Sequence, residues 1–205
     1  MNDALAQWAQ RIQALSQTGL TYAEDSYDRA RYEELREIAA EMLAAPLGAV
    51  PSEVAGLFRA EEGYATPKVD VRGVVIQDDQ VLLVRERSDG LWTLPGGWAD
   101  VGDAPSHAVE REIREESGYE AKAVKMLALY DRNLHGHPPM AFHVYKAFFR
   151  CEITGGERTL SSENDGVEFF RLSALPPLSV DRVTAEQIAR FFDHARHPEW
   201  PTDFD

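Results

Sequence analysis

The chain has 205 residues, of which 44% are hydrophobic, and 35 acidic against 21 basic side chains give a formal net charge of −14 at pH 7. This composition is typical of a globular protein with one substantial core and argues against extensive disorder. The acidic balance argues against nucleic acid or an anionic membrane as a partner, and no apolar stretch approaches the roughly 20 residues that span a bilayer. A cytoplasmic location is expected, because the amino terminus lacks a signal-peptide pattern and the single cysteine, Cys151, cannot form an internal disulfide.

The amino-terminal 45 residues or so carry the apolar periodicity of two helices joined by a short polar segment. Gly19 is expected to end the first helix, and Asp25 or Ser26 to cap the second. The pattern therefore predicts a helical hairpin. Its recurring apolar positions are Leu5, Trp8, Ile12, Leu15, Tyr32, Leu35, Ile38, Ala39 and Met42.

Residues 46–66 contain two prolines and three glycines, which is typical of a connector. One short helix is expected near residues 52–60. The sequence thus predicts a helical N-terminal domain with its connector over residues 1–66, followed by a second domain over residues 67–205.

The second domain has the alternating pattern of strands, interrupted by two helical segments. Residues 68–76 and 81–86 predict a hairpin around a turn at 77–80. Further strands are expected within residues 124–132, 142–153 and 166–172, with a turn at 154–156 and a final helix near 182–196. The element order indicates a sheet covered by helices.

Three glutamates share one face of the helix that is expected within residues 97–119. Glu112, Glu115 and Glu116 fall at i, i+3 and i+4. Like charges at i and i+4 destabilise a solvated helix, and oxygen ligands suit a hard divalent cation. The competing interpretation is a charged surface helix with Glu110–Arg114 and Arg111–Glu115 pairs, which leaves Glu112 and Glu116 unpaired.

The spacing of this segment resembles the Nudix box, G-x5-E-x7-R-E-U-x-E-E-x-G-U, where U is a bulky apolar residue. The segment begins at Gly97 and runs through Arg111-Glu112 and Glu115-Glu116 to Gly118. It departs from the pattern at Asp103, which replaces a glutamate and is a good helix-capping residue, and at Tyr119, which replaces an aliphatic residue.

The resemblance covers about residues 68–180 and implies the Nudix fold, an α/β/α sandwich built on a mixed sheet. The helical N-terminal domain is similar to that of a Nudix subgroup that acts on nucleoside diphosphates linked to another moiety. The expected reaction is metal-dependent hydrolysis of the diphosphate of a compound such as ADP-ribose or CDP-choline, releasing a nucleoside monophosphate. Two alternatives stay open: a nucleoside triphosphate pyrophosphohydrolase that removes oxidised nucleotides, and a Nudix-like module that senses a nucleotide derivative without hydrolysing it.

The resemblance also implies roles for individual residues. Mg²⁺ or Mn²⁺ is expected on the box glutamates and the Gly97 carbonyl, with Arg111 orienting a neighbouring glutamate by charge-assisted hydrogen bonds. The general base is either a box glutamate or an acidic residue on a later loop, for which Glu163 is the candidate and Asp165 the alternative. The implied metal ligands are Gly97, Glu112, Glu115 and Glu116, and the implied catalytic residues are Arg111, Glu115, Glu116 and Glu163.

Candidate substrate contacts are fewer and rest on side-chain chemistry alone. Arg72 and Arg85 can bind a phosphate bidentately, and Trp98 offers a flat surface for a base. The apolar faces of the helical hairpin need a partner, which is either the sheet of the same chain or a second subunit. A homodimer with a nucleotide-derivative substrate is expected.

Overall fold

The computed structural model describes residues 2–205, with side chains from residue 4 onward. The chain divides into two compact units. The helical unit extends to Lys68 and includes Pro138–His143, and the α/β unit comprises Val69–His137 and Val144–Asp205. The inclusion of Pro138–His143 in the helical unit has no signal in the sequence, and the predicted domain division at residue 66 stays a prediction.

The helical unit contains the predicted hairpin and the predicted short helix. The helices are α1 (Asn2–Tyr22), α2 (Ser26–Leu47) and α3 (Pro51–Arg59). Asp25 caps α2, because its carboxylate accepts the backbone N–H groups of Tyr27 and Asp28 at 2.8 and 2.9 Å. A helical N-terminal region is therefore confirmed.

Gly19 does not end the first helix, which was a wrong prediction. Helix α1 continues through it to Tyr22, and Gly19 instead allows a close approach of α2. A Cβ atom at this position would lie 2.4 Å from the Tyr32 ring. The missing side chain is a packing requirement rather than a stop signal.

Helix α1 turns small and polar side chains inward. Ala9 and Ser16 are fully buried, whereas Trp8 and Leu15 are 56% and 69% exposed. The inner face packs on a core that α2 and α3 complete. The buried apolar members of this core are Ala6, Ala9, Ala39, Ala40, Leu43, Ala44, Val54, Ala55 and Phe58.

The α/β unit contains two sheets and two α-helices. The strands are β1 (Lys68–Val74), β2 (Ile76–Gln77), β3 (Gln80–Glu86), β4 (Trp92–Thr93), β5 (Gly96–Trp98), β6 (Tyr119–Asp131), β7 (Val144–Gly156), β8 (Asn164–Arg171) and β9 (Asp203–Phe204), and the helices are α4 (Pro105–Ser117) and α5 (Ala185–Arg196). One sheet has the order β5-β1-β7-β6-β9, with β9 parallel to β6, and in the other β3 pairs with β2, β4 and β8. The five-stranded sheet is therefore mixed, as predicted.

The alternation of side chains along β3 places the strands between the two helices. Leu82 and Val84 belong to the core that contains α4, whereas Val81 and Leu83 belong to the core that contains α5. This layering confirms the predicted α/β/α architecture. None of the described helices has the length and hydropathy of a membrane span.

The predicted hairpin of β1 and β3 is only partly present. Its turn lies where expected, with Asp78 and Asp79 at positive φ of 49° and 57°, but only the two residues of β2 pair with β3 across it. Strand β1 belongs to the other sheet and pairs with β5. The predicted turn at 154–156 is also wrong, because β7 continues to Gly156 and stays paired with β6 across a register shift at Thr154.

Candidate active site

Strand β5, which precedes the box helix, depends on two glycines. Gly96 has a φ of 141°, and a Cβ there would lie 2.0 Å from the carbonyl oxygen of Val71 on β1. A Cβ on Gly97 would lie 3.4 Å from Oε2 of Glu112. Strand β5 therefore lies close against β1 on one side and brings its backbone next to the helix carboxylates on the other.

Helix α4 carries the box carboxylates from a well-defined start and end. Pro105 occupies its first turn after Ala104, which makes no side-chain capping bond, and Gly118 ends it in the left-handed conformation with φ of 78°. The predicted capping role of Asp103 is wrong. Its carboxylate instead accepts a hydrogen bond from Nε of Arg111 at 3.3 Å.

Two of the three box glutamates are removed from water. Glu116 is 7% exposed and the Glu112 side chain 15% exposed, whereas the Glu115 side chain is 51% exposed. Burial raises the pKa of Glu116 to about 8, against the opposing effects of Arg72 and of the Gly96 N–H, which donates to Oε2 at 2.9 Å. Burial also raises the pKa of Glu112, although Arg111 opposes it.

Arg111 is surrounded by carboxylates. Its Nη1 lies 2.9 Å from Oε1 of Glu112 and 3.1 Å from Oε2 of Glu115, and its Nη2 lies 3.2 Å from Oδ2 of Asp100. The surface pair of the competing interpretation, Arg111 with Glu115, is thus present. The same guanidinium also contacts the largely buried Glu112, which that interpretation leaves unpaired.

Glu86 is a site residue that sequence reasoning missed. It follows Leu82 and Val84 at a spacing of two along β3, which directs it toward α4. Its side chain is 14% exposed and lies 3.6 Å from Nε of Arg182, and its charge contributes to the raised pKa of Glu116. The alternation of side chains along β3 is the sequence signal that places Glu86 on this face. It is a weak signal, because acidic residues are common at strand ends.

The loop before β8 lies against the C-terminal end of α4. Glu163 is exposed, and Asp165 is bonded to Nε of Arg85 at 2.6 Å. Asn164 is 1% exposed and donates its side-chain N–H to the backbone carbonyl of Glu116. Sequence reasoning singled out the two acids and passed over the asparagine between them.

The three predicted substrate residues lie in different surroundings. Arg72 is 6% exposed, with its Nε 2.9 Å from Oδ1 of Asp70. Arg85 alternates with Glu86 along β3 and stacks 5.7 Å from the centre of the Trp92 ring. Trp98 is 47% exposed on β5. Their substrate-binding roles stay predictions.

The donor chemistry of the site fits a hard divalent cation. Glu112 and Glu116 are desolvated carboxylates whose charges disfavour one another, and a cation between them would relieve both costs. Within residues 4–205, no three His, Cys, Asp or Glu side chains are arranged to hold a metal ion. The Glu115 carboxylate accepts a hydrogen bond from Nη1 of Arg111 at 3.1 Å.

Comparisons with known proteins cover both the helical and the α/β part of the chain. Residues 3–58 match a family described as a UDP-X-like N-terminal oligomerisation domain, and residues 66–191 match the NUDIX domain. The chain is 45% identical over 197 residues to the Bacillus subtilis protein named "Putative ADP-ribose pyrophosphatase YjhB", covering 96% of this chain and 95% of that one.

Two crystal structures are similar over different spans. An ADP-ribose pyrophosphatase from Streptococcus suis is 41% identical with a TM-score of 0.64, covering 68% of this chain and all of that one. A UDP-X diphosphatase is 33% identical with a TM-score of 0.65, covering 100% of this chain and 99% of that one. The predicted family is therefore confirmed: the chain belongs to the Nudix hydrolases and carries the UDP-X-like helical domain at its amino terminus.

Proposed function

We propose that the protein hydrolyses the diphosphate of a nucleoside diphosphate linked to another group, of the ADP-ribose or CDP-choline type, and releases a nucleoside monophosphate. The observation that carries this proposal is the desolvated pair of carboxylates, Glu112 and Glu116, beside the backbone of Gly96 and Gly97 on β5. The full-length similarity to proteins named for ADP-ribose and UDP-X substrates supports a linked diphosphate over a nucleoside triphosphate.

The proposed cofactor is Mg²⁺ or Mn²⁺. Glu112, Glu116 and the Gly97 carbonyl would hold it, and Glu115 would join them by leaving Arg111. A bound divalent ion supplies neutralisation of phosphate charge and a lowered pKa for water.

The remaining proposed roles belong to this chain's own side chains. Arg111 fixes the orientation of Glu112 through the 2.9 Å contact. Glu163 is exposed on its loop and accepts the proton of the attacking water as general base. Arg72, Arg85 and Trp98 remain the proposed substrate contacts.

The proposed assembly is a homodimer in the cytoplasm. The match to a family described as an oligomerisation domain supports association through the helical unit, and so does the outward face of α1, where Trp8 and Leu15 are exposed. The net charge of −14 supports a small-molecule substrate over nucleic acid or membrane partners.

A panel of substrates in ¹⁸O-labelled water tests the function directly. The purified protein is incubated with ADP-ribose, CDP-choline, a UDP-sugar and oxidised dGTP in the presence of Mg²⁺ or Mn²⁺, and mass spectrometry locates the label. Labelled products from at least one linked diphosphate are expected. Turnover of oxidised dGTP alone would support the triphosphate alternative, and binding without turnover would support the sensor alternative.

A further inference from the structure

The loop that joins β7 to β8 is built onto the end of the box helix. The backbone N–H of Thr159 donates to the carbonyl of Ser117 at 2.9 Å. A Cβ on Gly118 would lie 2.3 Å from the carbonyl oxygen of Glu157. The last turn of a helix leaves carbonyl groups without helical partners, and this loop supplies partners for them.

Asn164 closes the second contact between this loop and the helix. Its side-chain N–H donates to the carbonyl of Glu116, and its Oδ1 accepts the backbone N–H of Ser161 at 3.2 Å. At 1% exposure the amide has no access to bulk water that could replace these bonds. Both functional ends of one side chain are therefore committed to joining loop and helix.

The backbone of Glu163 is held from two sides at the same point. Its N–H donates to Oγ of Ser161 at 3.1 Å, and its carbonyl accepts the N–H of Arg87 at 2.9 Å. Asn164 pairs with Glu86 and Gly166 with Arg85, so Asp165 is an extra residue in the β8 strand. Such a bulge re-aims the side chains next to it.

We propose that Asn164 is a positioning residue for hydrolysis, which fixes the Glu163 carboxylate relative to the Glu116 carboxylate. This inference rests on the proposed function, in which these two groups serve as base and metal ligand. Asn164 directly follows Glu163 in the chain, and its side-chain amide donates to the backbone carbonyl of Glu116. It therefore links the backbones of the two glutamates. Without this bond, Glu163 stays on its loop and Glu116 on α4, but the position of one carboxylate relative to the other is no longer fixed.

A double-mutant cycle tests the link, with kcat and KM measured on the substrate that the panel identifies. Asn164→Ala is expected to lower kcat by about 10-fold or more and to leave KM within about 2-fold. In a Glu163→Gln background the same change is expected to lower kcat by less than about 2-fold, because the group it positions is already disabled. A purely structural role would lower kcat by a similar factor in both backgrounds.

Matched variants keep the result interpretable. Asn164→Leu keeps about the same side-chain volume but has no donor for the Glu116 carbonyl, and it is expected to reproduce the kcat loss if the alanine variant does not fold. Thr159→Ala removes an exposed hydroxyl from the same loop, keeps the backbone bond to Ser117, and is expected to leave kcat unchanged.

The inference is overturned if Asn164→Ala retains kcat within 2-fold of the wild type, if its loss persists in the Glu163→Gln background, or if Glu163→Gln is itself fully active. A wild-type protein that hydrolyses no linked diphosphate defeats the proposed function instead. In that case the positioning role of Asn164 is tested by the affinity for Mn²⁺, which Asn164→Ala must weaken and Thr159→Ala must leave unchanged.

Discussion

Helices α1 and α4 each bury a polar side chain, but the surroundings of that side chain differ between the two helices. Helix α4 buries its apolar residues Ala108, Val109 and Ile113 and yet also buries Glu116. Helix α1 buries Gln10 and leaves Trp8 exposed. A buried charge or an exposed large apolar group is the informative exception to the rule. On α4 the exception lies in the proposed active site, and on α1 it lies on the face of the proposed association.

The surroundings of the buried groups separate these two cases. Glu116 has a backbone donor, a second carboxylate and the Arg72 guanidinium nearby, which is the setting of the proposed active site. Gln10 donates to the carbonyl groups of Met140 and Phe142, which is structural bonding. Neither amide atom of Gln13 has a partner within residues 4–205. Burial alone therefore assigns no function.

The largest expected effect is that of Glu116→Gln. The variant keeps the shape of the side chain and an acceptor for the Gly96 N–H but loses the negative charge, so kcat/KM is expected to fall by about 10³-fold. Steady-state kinetics with saturating metal measure the effect. Glu186→Gln, an exposed change of the same kind on α5, serves as the control, and activity of Glu116→Gln near that of the wild type would remove α4 from the chemistry.

The outward face of α1 predicts the next effect. Changing both Trp8 and Leu15 to Glu is expected to convert a dimer to a monomer, because the loss of about 1.5–3 kcal/mol of burial per side chain weakens association by at least about 100-fold. Sedimentation at micromolar concentration measures the mass. Val124→Glu, at a residue 48% exposed on β6, is expected to leave the mass unchanged; a wild-type monomer would contradict the prediction.

The raised pKa of Glu116 predicts a pH dependence of stability in the metal-free protein. Between the ordinary value of 4.5 and about 8, the folded state keeps a proton that the unfolded chain has released. The folded state therefore binds more protons, and the free energy of unfolding falls as the pH rises through this window. Thermal unfolding with a chelator present should show a steeper loss for the wild type than for Glu116→Gln, and equal slopes would argue against the raised pKa.

The smallest expected effect concerns the unpartnered amide on α1. Gln13→Leu removes a buried polar group without hydrogen bonds, so a gain of about 1 kcal/mol in stability is expected, or about 2–4 °C in Tm. Gln10→Leu is the matched variant and is expected to destabilise the protein, because it breaks the bonds to Met140 and Phe142. Equal Tm shifts from both changes would show that the hydrogen bonds of Gln10 do not contribute to stability.

The errors of prediction show where sequence patterns stop being informative. Gly19 and Asp103 each carry a strong local signal, for a helix end and for a helix cap, but tertiary contacts with Tyr32 and Arg111 determine what each residue does. The turn at Asp78-Asp79 was located correctly, because turns are local. The assignment of β1 to a different sheet from β3 depends on pairing with a distant strand, which short-range periodicity does not encode.

The family, the order of the elements and the shared face of Glu112 and Glu116 follow from the amino-acid sequence, because helical spacing and glycine positions are properties of neighbouring residues. The tertiary fold selects which carboxylates are desolvated, since burial depends on elements that are distant along the chain. It added Glu86 through the alternation of β3 and Asn164 through the return of a loop to the end of α4. It also decided which side of α1 stays exposed, because only packing against α2 and α3 selects the face that lies inside.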